Sequence, residues 1–69
     1  QDSYDFELLN EVMSLPDKYK TVIYLYYYEG YSSVELSHIL NINESTIRSQ
    51  LAKGRKLLKK SLGGEVYGK

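Results

Sequence analysis

The chain has 69 residues, of which 42% are hydrophobic and 26% are charged. This size fits one small domain with a single core, and it excludes a large enzyme or a multidomain machine. Nine Lys and Arg balance nine Asp and Glu overall, but residues 1–35 carry two bases and seven acids, whereas residues 36–69 carry seven bases and two acids. The C-terminal half is therefore expected to meet an anionic partner.

What the chain lacks indicates its cellular setting. It has no cysteine, so it can form neither a disulfide framework nor a thiolate metal site. No apolar run approaches the roughly 18 residues of a membrane span, and no signal peptide is visible. We therefore expect a cytoplasmic protein with no membrane partner. Because the chain begins with Gln1 rather than Met, we also expect a fragment or a processed chain.

Apolar spacing and a proline predict the first helix, over about residues 4–13. Phe6, Leu9 and Met13 recur at helical spacing, with Leu8 and Val12 beside them, and they form one apolar stripe. Pro16 prevents this helix from continuing.

The second helix, up to about Tyr28, is predicted against local propensity. Residues 21–28 are rich in β-branched and aromatic side chains, which favour a strand. However, Pro16 suits the first turn of a helix, where its missing N–H is no loss, and Gly30 can end one. A single strand would also have no partner in the chain. In a helix, one apolar stripe would be formed by Tyr19, Val22, Ile23 and Tyr26.

A capping box predicts the start of the third helix. Ser32 precedes Glu35 by three residues, so each side chain can bond the other residue's backbone N–H. Asn41 can adopt the left-handed conformation that ends a helix. The buried face of this helix is predicted to hold Leu36, Ile39 and Leu40.

The fourth helix is predicted over about residues 44–62, with Asn43 as its N-cap and the two glycines at 63–64 as its stop. The three residues 41–43 that precede it match the tight turn of a helix-turn-helix. Gly54 lies where another helix would approach closest. The apolar stripe is predicted to hold Ile47, Leu51, Gly54, Leu58 and Leu62, with Leu57 at its edge. We therefore predict an all-α domain of four helices over residues 1–62 and a flexible C-terminal tail over residues 63–69.

The chain lacks the parts of an enzyme or a metal site. His38 is the only histidine, and with Glu35 it makes half a metal site at most. No Gly-rich phosphate loop precedes a helix. The serines and glutamates occur mainly at positions where they cap helices, so they do not indicate a catalytic site. We therefore expect no catalysis, no metal and no cofactor. The sequon at Asn43 is explained better by helix capping than by glycosylation.

The tyrosines allow two interpretations. Eight occur in the chain, four of them between Tyr24 and Tyr28. They could stack on single-stranded bases. The simpler interpretation packs Tyr26 and one neighbour in the core, and leaves the others as an aromatic surface suited to a protein partner.

The outer side of the fourth helix predicts DNA binding. No acid occurs between Ser45 and Gly64, so this side is cationic along its length. A solvated lysine-rich surface is the alternative, but a capped helix, a short turn and a longer helix are what reading of the major groove requires. Arg and Gln can contact base edges, whereas hydroxyls and Lys fix phosphates. The candidate DNA-binding residues are Asn43, Ser45, Thr46, Arg48, Ser49, Gln50, Lys53, Lys56 and Lys60.

Residues spread over most of the chain together form a specific pattern. They are Leu15-Pro16, Lys20, Val22, Leu25, Tyr26, Glu29-Gly30, Ser32, Glu35-Leu36, Ile39, Leu40, Thr46-Ile47-Arg48-Ser49, Leu51, Arg55 and Leu58. This pattern resembles region 4 of the bacterial sigma-70-family factors, and most closely that of the extracytoplasmic-function (ECF) group. The resemblance covers about residues 15–62.

This resemblance implies a four-helix domain in which the last helix binds the promoter −35 element and the earlier helices bind the flap of the RNA polymerase β subunit. It also implies an anti-sigma factor as a possible partner. Four residues depart from the family pattern, namely Lys20 for Arg, Ser37 for Ala, Gln50 for a second basic residue and Gly54 for Ala. Gln prefers adenine where Arg prefers guanine, so the base sequence stays open. Region 2, which opens the −10 element in full-length relatives, is not in this chain, so it should not initiate transcription alone.

Two alternatives remain. A LuxR-type response-regulator output domain is also a helix-turn-helix, but it usually opens L-T-x-R-E, where this chain has Leu15-Pro16-Asp17-Lys18-Tyr19. An isolated interaction module would bind polymerase or an anti-sigma factor through the tyrosine-rich helix without productive DNA contact. The zero net charge slightly favours this module, and salt-dependent binding to duplex DNA would discriminate it.

Overall fold

The computed structural model describes residues 3–61. Within this part of the chain, four helices and no strand are present: α1 (Ser3–Met13), α2 (Asp17–Tyr27), α3 (Ser33–Leu40) and α4 (Glu44–Ser61). The predicted all-α architecture is thus confirmed, with helix bounds within a residue of those predicted. The predicted tail at residues 63–69 lies outside the described residues.

Helix α2 forms despite its strand-like composition. Its first turn closes on Pro16, whose carbonyl accepts the N–H of Tyr19 at 3.0 Å and of Lys20 at 2.9 Å. Val22 and Ile23 are each only 1% exposed, and burial of such a side chain contributes about 1.5–3 kcal/mol. The whole scale of strand preference spans about 1 kcal/mol. Core packing on a helical face therefore outweighs local propensity.

The start of α3 and its connection to α4 have the predicted capping residues. Ser32 Oγ accepts the N–H of Glu35 at 3.1 Å, and Glu35 Oε1 accepts the N–H of Ser32 at 2.8 Å. Asn41 has φ 57° and ψ 49°, the left-handed conformation that Asn tolerates. The carbonyl of Asn43 accepts the N–H of Ile47 at 3.0 Å, as expected of an N-cap residue. Three residues therefore separate the two helices.

The core draws on every helix and on the loop after α1. Helices α2 and α4 approach each other closely at Gly54, because a Cβ placed on Gly54 would lie 2.8 Å from Ile23 Cγ1. This distance confirms the predicted role of Gly54. The buried apolar residues are Val12, Leu15, Val22, Ile23, Leu36, Ile47 and Leu51, and Leu57 and Leu58 pack against them.

Three residues predicted for the core are exposed instead. Met13 is 45% exposed, because α1 ends there and the chain reaches the core through Val12 and Leu15. Ile39 is 53% exposed, because the two-turn helix α3 packs through a narrow strip of leucines. Tyr26 is 36% exposed, because it lies at an open groove, which Arg48, Leu51 and Arg55 of α4 also line.

The remaining predicted core positions divide into three groups. Leu8 and Leu9 on α1 are half-buried. Tyr19, Tyr24 and Leu40 are partly buried against the core, so a neighbour of Tyr26 does pack there as predicted. The side chain of Phe6 and the residue Leu62 lie outside what the structure describes.

Candidate nucleic-acid interface

The outer side of α4 presents the predicted contact residues to solvent. Because Ile47, Leu51 and Gly54 are buried on one side of this helix, the residues about 180° away around it face outward. All but one of the nine candidates are exposed, and Gln50 is half-buried. The exposed candidates are Asn43, Ser45, Thr46, Arg48, Ser49, Lys53, Lys56 and Lys60.

Every charged residue of α4 after Glu44 is basic. Glu44 is the one acid of α4, whereas Arg48, Lys53, Arg55, Lys56, Lys59 and Lys60 are basic. With a rise of 1.5 Å per residue, the span from Arg48 to Lys60 is about 18 Å. We name the exposed residues of α4 from Ser45 to Lys60 the basic face. An extended positive potential of this kind attracts a polyanion.

Arg48 is exposed but not free. Its Nη1 donates to Glu44 Oε2 at 3.1 Å, and the same carboxylate oxygen accepts the hydroxyl of Ser33 at 2.9 Å. The Arg48 side chain nevertheless keeps 62% of its surface exposed. The first turn of α4 is therefore joined to the start of α3 by a carboxylate that also holds an arginine.

Gln50 differs from the other candidates. Its Oε1 is buried without a hydrogen-bond partner. A bidentate contact with adenine uses both the amide oxygen and the amide nitrogen of Gln. In the observed conformation the oxygen faces the protein, so this contact would require the side chain to swing outward.

Arg55 is a feature of the site that the candidate residues did not include. Its Nη1 donates to the hydroxyl of Tyr27 at 3.1 Å, and this bond joins α4 to α2. Arg55 also lines an open groove between α2, α3 and α4, together with Tyr26, Ser33, Arg48 and Leu51. Its spacing of seven residues from Arg48, two helical turns, could have placed both arginines on the same edge of α4.

A second surface is aromatic. Tyr26, Tyr27, Tyr28 and Tyr31 are between 36% and 52% exposed, and we name them the tyrosine surface. The ring of Tyr28 stacks on Tyr24 with centroids 5.3 Å apart, while Tyr26 and Tyr27 meet edge to face at 4.9 Å. Such rings present apolar area with little loss of side-chain freedom on binding, as protein interfaces commonly use.

The family model described as "Sigma-70, region 4" matches residues 5–58, which is more than half of the chain. The chain belongs to this family. Region 4 is thereby favoured over a LuxR-type output domain. The match reaches into all four helices and includes the turn between α3 and α4. The tyrosine surface and the basic face as far as residue 58 therefore belong to the matched part of this region 4 domain, and Lys59 and Lys60 follow it.

Two proteins of Bacillus subtilis (strain 168) are similar to this region 4 domain. The "ECF RNA polymerase sigma factor SigW" is 42% identical over 52 residues, which cover 75% of this chain and 28% of that protein. The "ECF RNA polymerase sigma factor SigM" is 43% identical over 54 residues, covering 77% of this chain and 33% of that protein. The chain thus spans about a third or less of these relatives. No solved structure matches it.

The part of region 4 that the structure describes holds neither a metal-binding cluster nor a helix suited to a membrane. Within residues 3–61, no cluster of three or more His, Asp and Glu side chains could hold a metal ion. Over the same residues, none of the helices has the length and apolar character that crossing a membrane requires. The exposed His38 lies on α3.

Proposed function

We propose that this region 4 domain binds the −35 element of promoter DNA with α4 in the major groove, as the C-terminal part of an ECF sigma factor. The observation that carries the proposal is the basic face, which is exposed and free of acids from Ser45 to Lys60. The major groove of DNA is about 12 Å wide and admits a helix. The domain acts by binding, since the activity of a sigma factor is to direct polymerase rather than to catalyse.

The residues of α4 divide this work by their position along the helix. Those in the first two turns approach base edges, because a recognition helix enters the groove with its N-terminal part. We assign this role to Arg48, Ser49 and Gln50, with Asn43, Ser45 and Thr46 beside them. Lys53, Lys56 and Lys60 are spaced three and four residues apart and so lie on one face, where they neutralise phosphates.

The tyrosine surface is proposed to face protein rather than DNA. It lies in the half of the chain that carries the excess of acids, which would repel phosphate. The partner suited to it is the polymerase β flap, with an anti-sigma factor as a competing regulator. If the basic face failed to bind DNA, this surface would favour the second candidate function, a module that binds polymerase or its regulator alone.

Selection from a randomised duplex pool tests the proposal. The domain is incubated with short duplexes whose central positions are random, and the retained duplexes are sequenced over several rounds. We expect a shared sequence, and we expect the logarithm of the affinity for it to fall linearly as the logarithm of the salt concentration rises. Retention of no common sequence, together with binding that does not depend on salt, would reject DNA recognition and leave the interaction module.

A further inference from the structure

We infer that Glu44 is a positioning residue for Arg48, and that it raises the sequence selectivity of α4 without contacting a base. The inference rests on the proposed DNA binding. It concerns an acid that stands at the start of an otherwise basic helix, where a negative charge should hinder association with phosphates.

The geometry fixes Glu44 from two directions. Its Oε2 accepts Ser33 Oγ at 2.9 Å from α3 and Arg48 Nη1 at 3.1 Å from the next turn of α4. The Ser33 bond is partly buried and crosses between the two helices of the helix-turn-helix. The carboxylate is thus held by α3, and it holds the guanidinium in turn.

The position in which Arg48 is held suits contact with a base. Side chains of a helix lean toward its N-terminus, and the bond to Glu44 keeps the guanidinium over the first turn of α4. This turn is the part of a recognition helix that comes nearest the bases. An arginine has five N–H donors, so the one given to Glu44 leaves a pair for a bidentate contact.

Holding the arginine reduces the entropy that binding must remove. Immobilising a flexible side chain at an interface costs about 0.5–1.5 kcal/mol, and the bond to Glu44 meets part of that cost before DNA arrives. On a wrong sequence Arg48 gains no base contact, and the nearby carboxylate still repels the backbone. Glu44 therefore lowers affinity for random DNA more than affinity for the preferred site.

A simpler explanation is that Glu44 only stabilises the start of α4. Acids in the first turn favour the helix dipole, and an exposed ion pair four residues apart contributes little to folding. That role predicts a small change in thermal stability and equal changes in affinity for every DNA. Selectivity therefore separates the two explanations.

The first test is Glu44→Gln, measured on a duplex that the wild-type domain selects from a random pool and on a scrambled duplex of equal composition. We expect tighter binding to the scrambled duplex. We also expect the selectivity ratio, the affinity for the selected duplex divided by that for the scrambled duplex, to fall by about two- to tenfold. This factor corresponds to the ordering cost of one side chain. The matched control is Glu29→Gln, which removes the same charge from the loop after α2. A ratio that fell equally in the control would reject positioning.

The second test removes the other anchor while keeping the charge. In Ser33→Ala, Glu44 loses its bond to α3, so we expect a lower ratio with no gain on the scrambled duplex. Ser37→Ala is the control, because its hydroxyl donates within α3 to the carbonyl of Val34. An unchanged ratio in Ser33→Ala would reduce Glu44 to an electrostatic effect and overturn the inference.

The third test links the two residues. In the background of Arg48→Ala, Glu44→Gln should no longer change the ratio, because the held side chain is gone. A full effect of Glu44→Gln without Arg48 would contradict the inference. Failure of the wild-type domain to prefer any duplex would instead reject the proposed function itself, so the two failures are distinguishable.

Discussion

At the scale of single residues, the basic face holds two kinds of side chain. Some are placed for sequence-specific contacts with base edges, and the others for contacts with phosphates, which carry no sequence information. The structure leaves Arg48 62% exposed at the first turns of α4 and Lys53 exposed further along the helix. A base-edge contact exists only with the right base, whereas a phosphate contact exists with any sequence. Substitution of the two residues should therefore have different signatures.

Arg48→Ala should weaken binding to the selected duplex by roughly 1–3 kcal/mol and binding to random duplex much less. Lys53→Ala should weaken both and reduce the slope of log affinity against log salt by about one unit, because one phosphate fewer is neutralised. Salt titrations of each variant on both DNAs measure this. A change of sequence preference in Lys53→Ala, or equal losses on both DNAs in Arg48→Ala, would contradict the placement of α4.

A second prediction at this scale concerns Gly54. A Cβ there would lie 2.8 Å from Ile23 Cγ1, so Gly54→Ala should destabilise the domain by about 1–3 kcal/mol through overpacking, partly offset by about 1 kcal/mol of helix propensity. Urea denaturation measures the net loss. The control is Ala52→Gly on the exposed side of α4, which should cost about 1 kcal/mol from propensity alone. Stabilisation by Gly54→Ala would show that the two helices do not approach so closely.

The sequence predicts the burial of a residue correctly where its angular position around the helix alone determines that burial. The residues of the basic face lie opposite a stripe of buried residues, and their exposure was predicted correctly. Gln50 lies at the edge of that stripe, where phase does not decide which amide atom is buried. Its unpartnered Oε1 and the bond between Arg55 and Tyr27 depend on side-chain conformation and on contacts between helices distant in sequence.

At the scale of elements, α3 depends on its cap because it has only eight residues. Ser32→Ala removes the acceptor for the N–H of Glu35 and should lower the free energy of unfolding by about 1 kcal/mol. Thermal denaturation should show a lower Tm, while affinity for DNA under folding conditions stays close to that of the wild type. Loss of DNA binding at an unchanged Tm would mean that Ser32 is itself a contact residue.

The helices were predicted more reliably than their buried faces. Proline, glycine, the capping box and Asn41 set the bounds through local interactions, so all four helices were found within a residue of their ends. The exposure of Met13, Ile39 and Tyr26 was not anticipated, because it depends on how short helices meet one another. Spacing alone cannot show that Tyr26 lies at an open groove between helices rather than beneath one of them.

At the scale of the whole molecule, the uneven distribution of charge predicts two separate binding surfaces. Glu7 is exposed and Glu11 half-buried on α1, in the acidic half of the chain. Reversing both charges, as Glu7→Lys and Glu11→Lys, should leave DNA affinity unchanged or slightly higher, because neither residue belongs to the basic face. Binding to the selected duplex measures this, with Lys53→Glu as the variant expected to lose affinity. A large loss in the α1 variants would place α1 against DNA.

The close packing at Gly54 has a consequence for related sequences. The family pattern has Ala at this position, so this chain lacks one methyl group between α2 and α4, and Ile23 Cγ1 fills the space instead. The tyrosine surface lies on the last turn of α2 and the loop that follows it, and α4 carries the basic face. The volume shared by positions 23 and 54 therefore sets the separation of the two surfaces. Positions 23 and 54 should therefore covary among close homologues, a smaller side chain at 23 accompanying a larger one at 54.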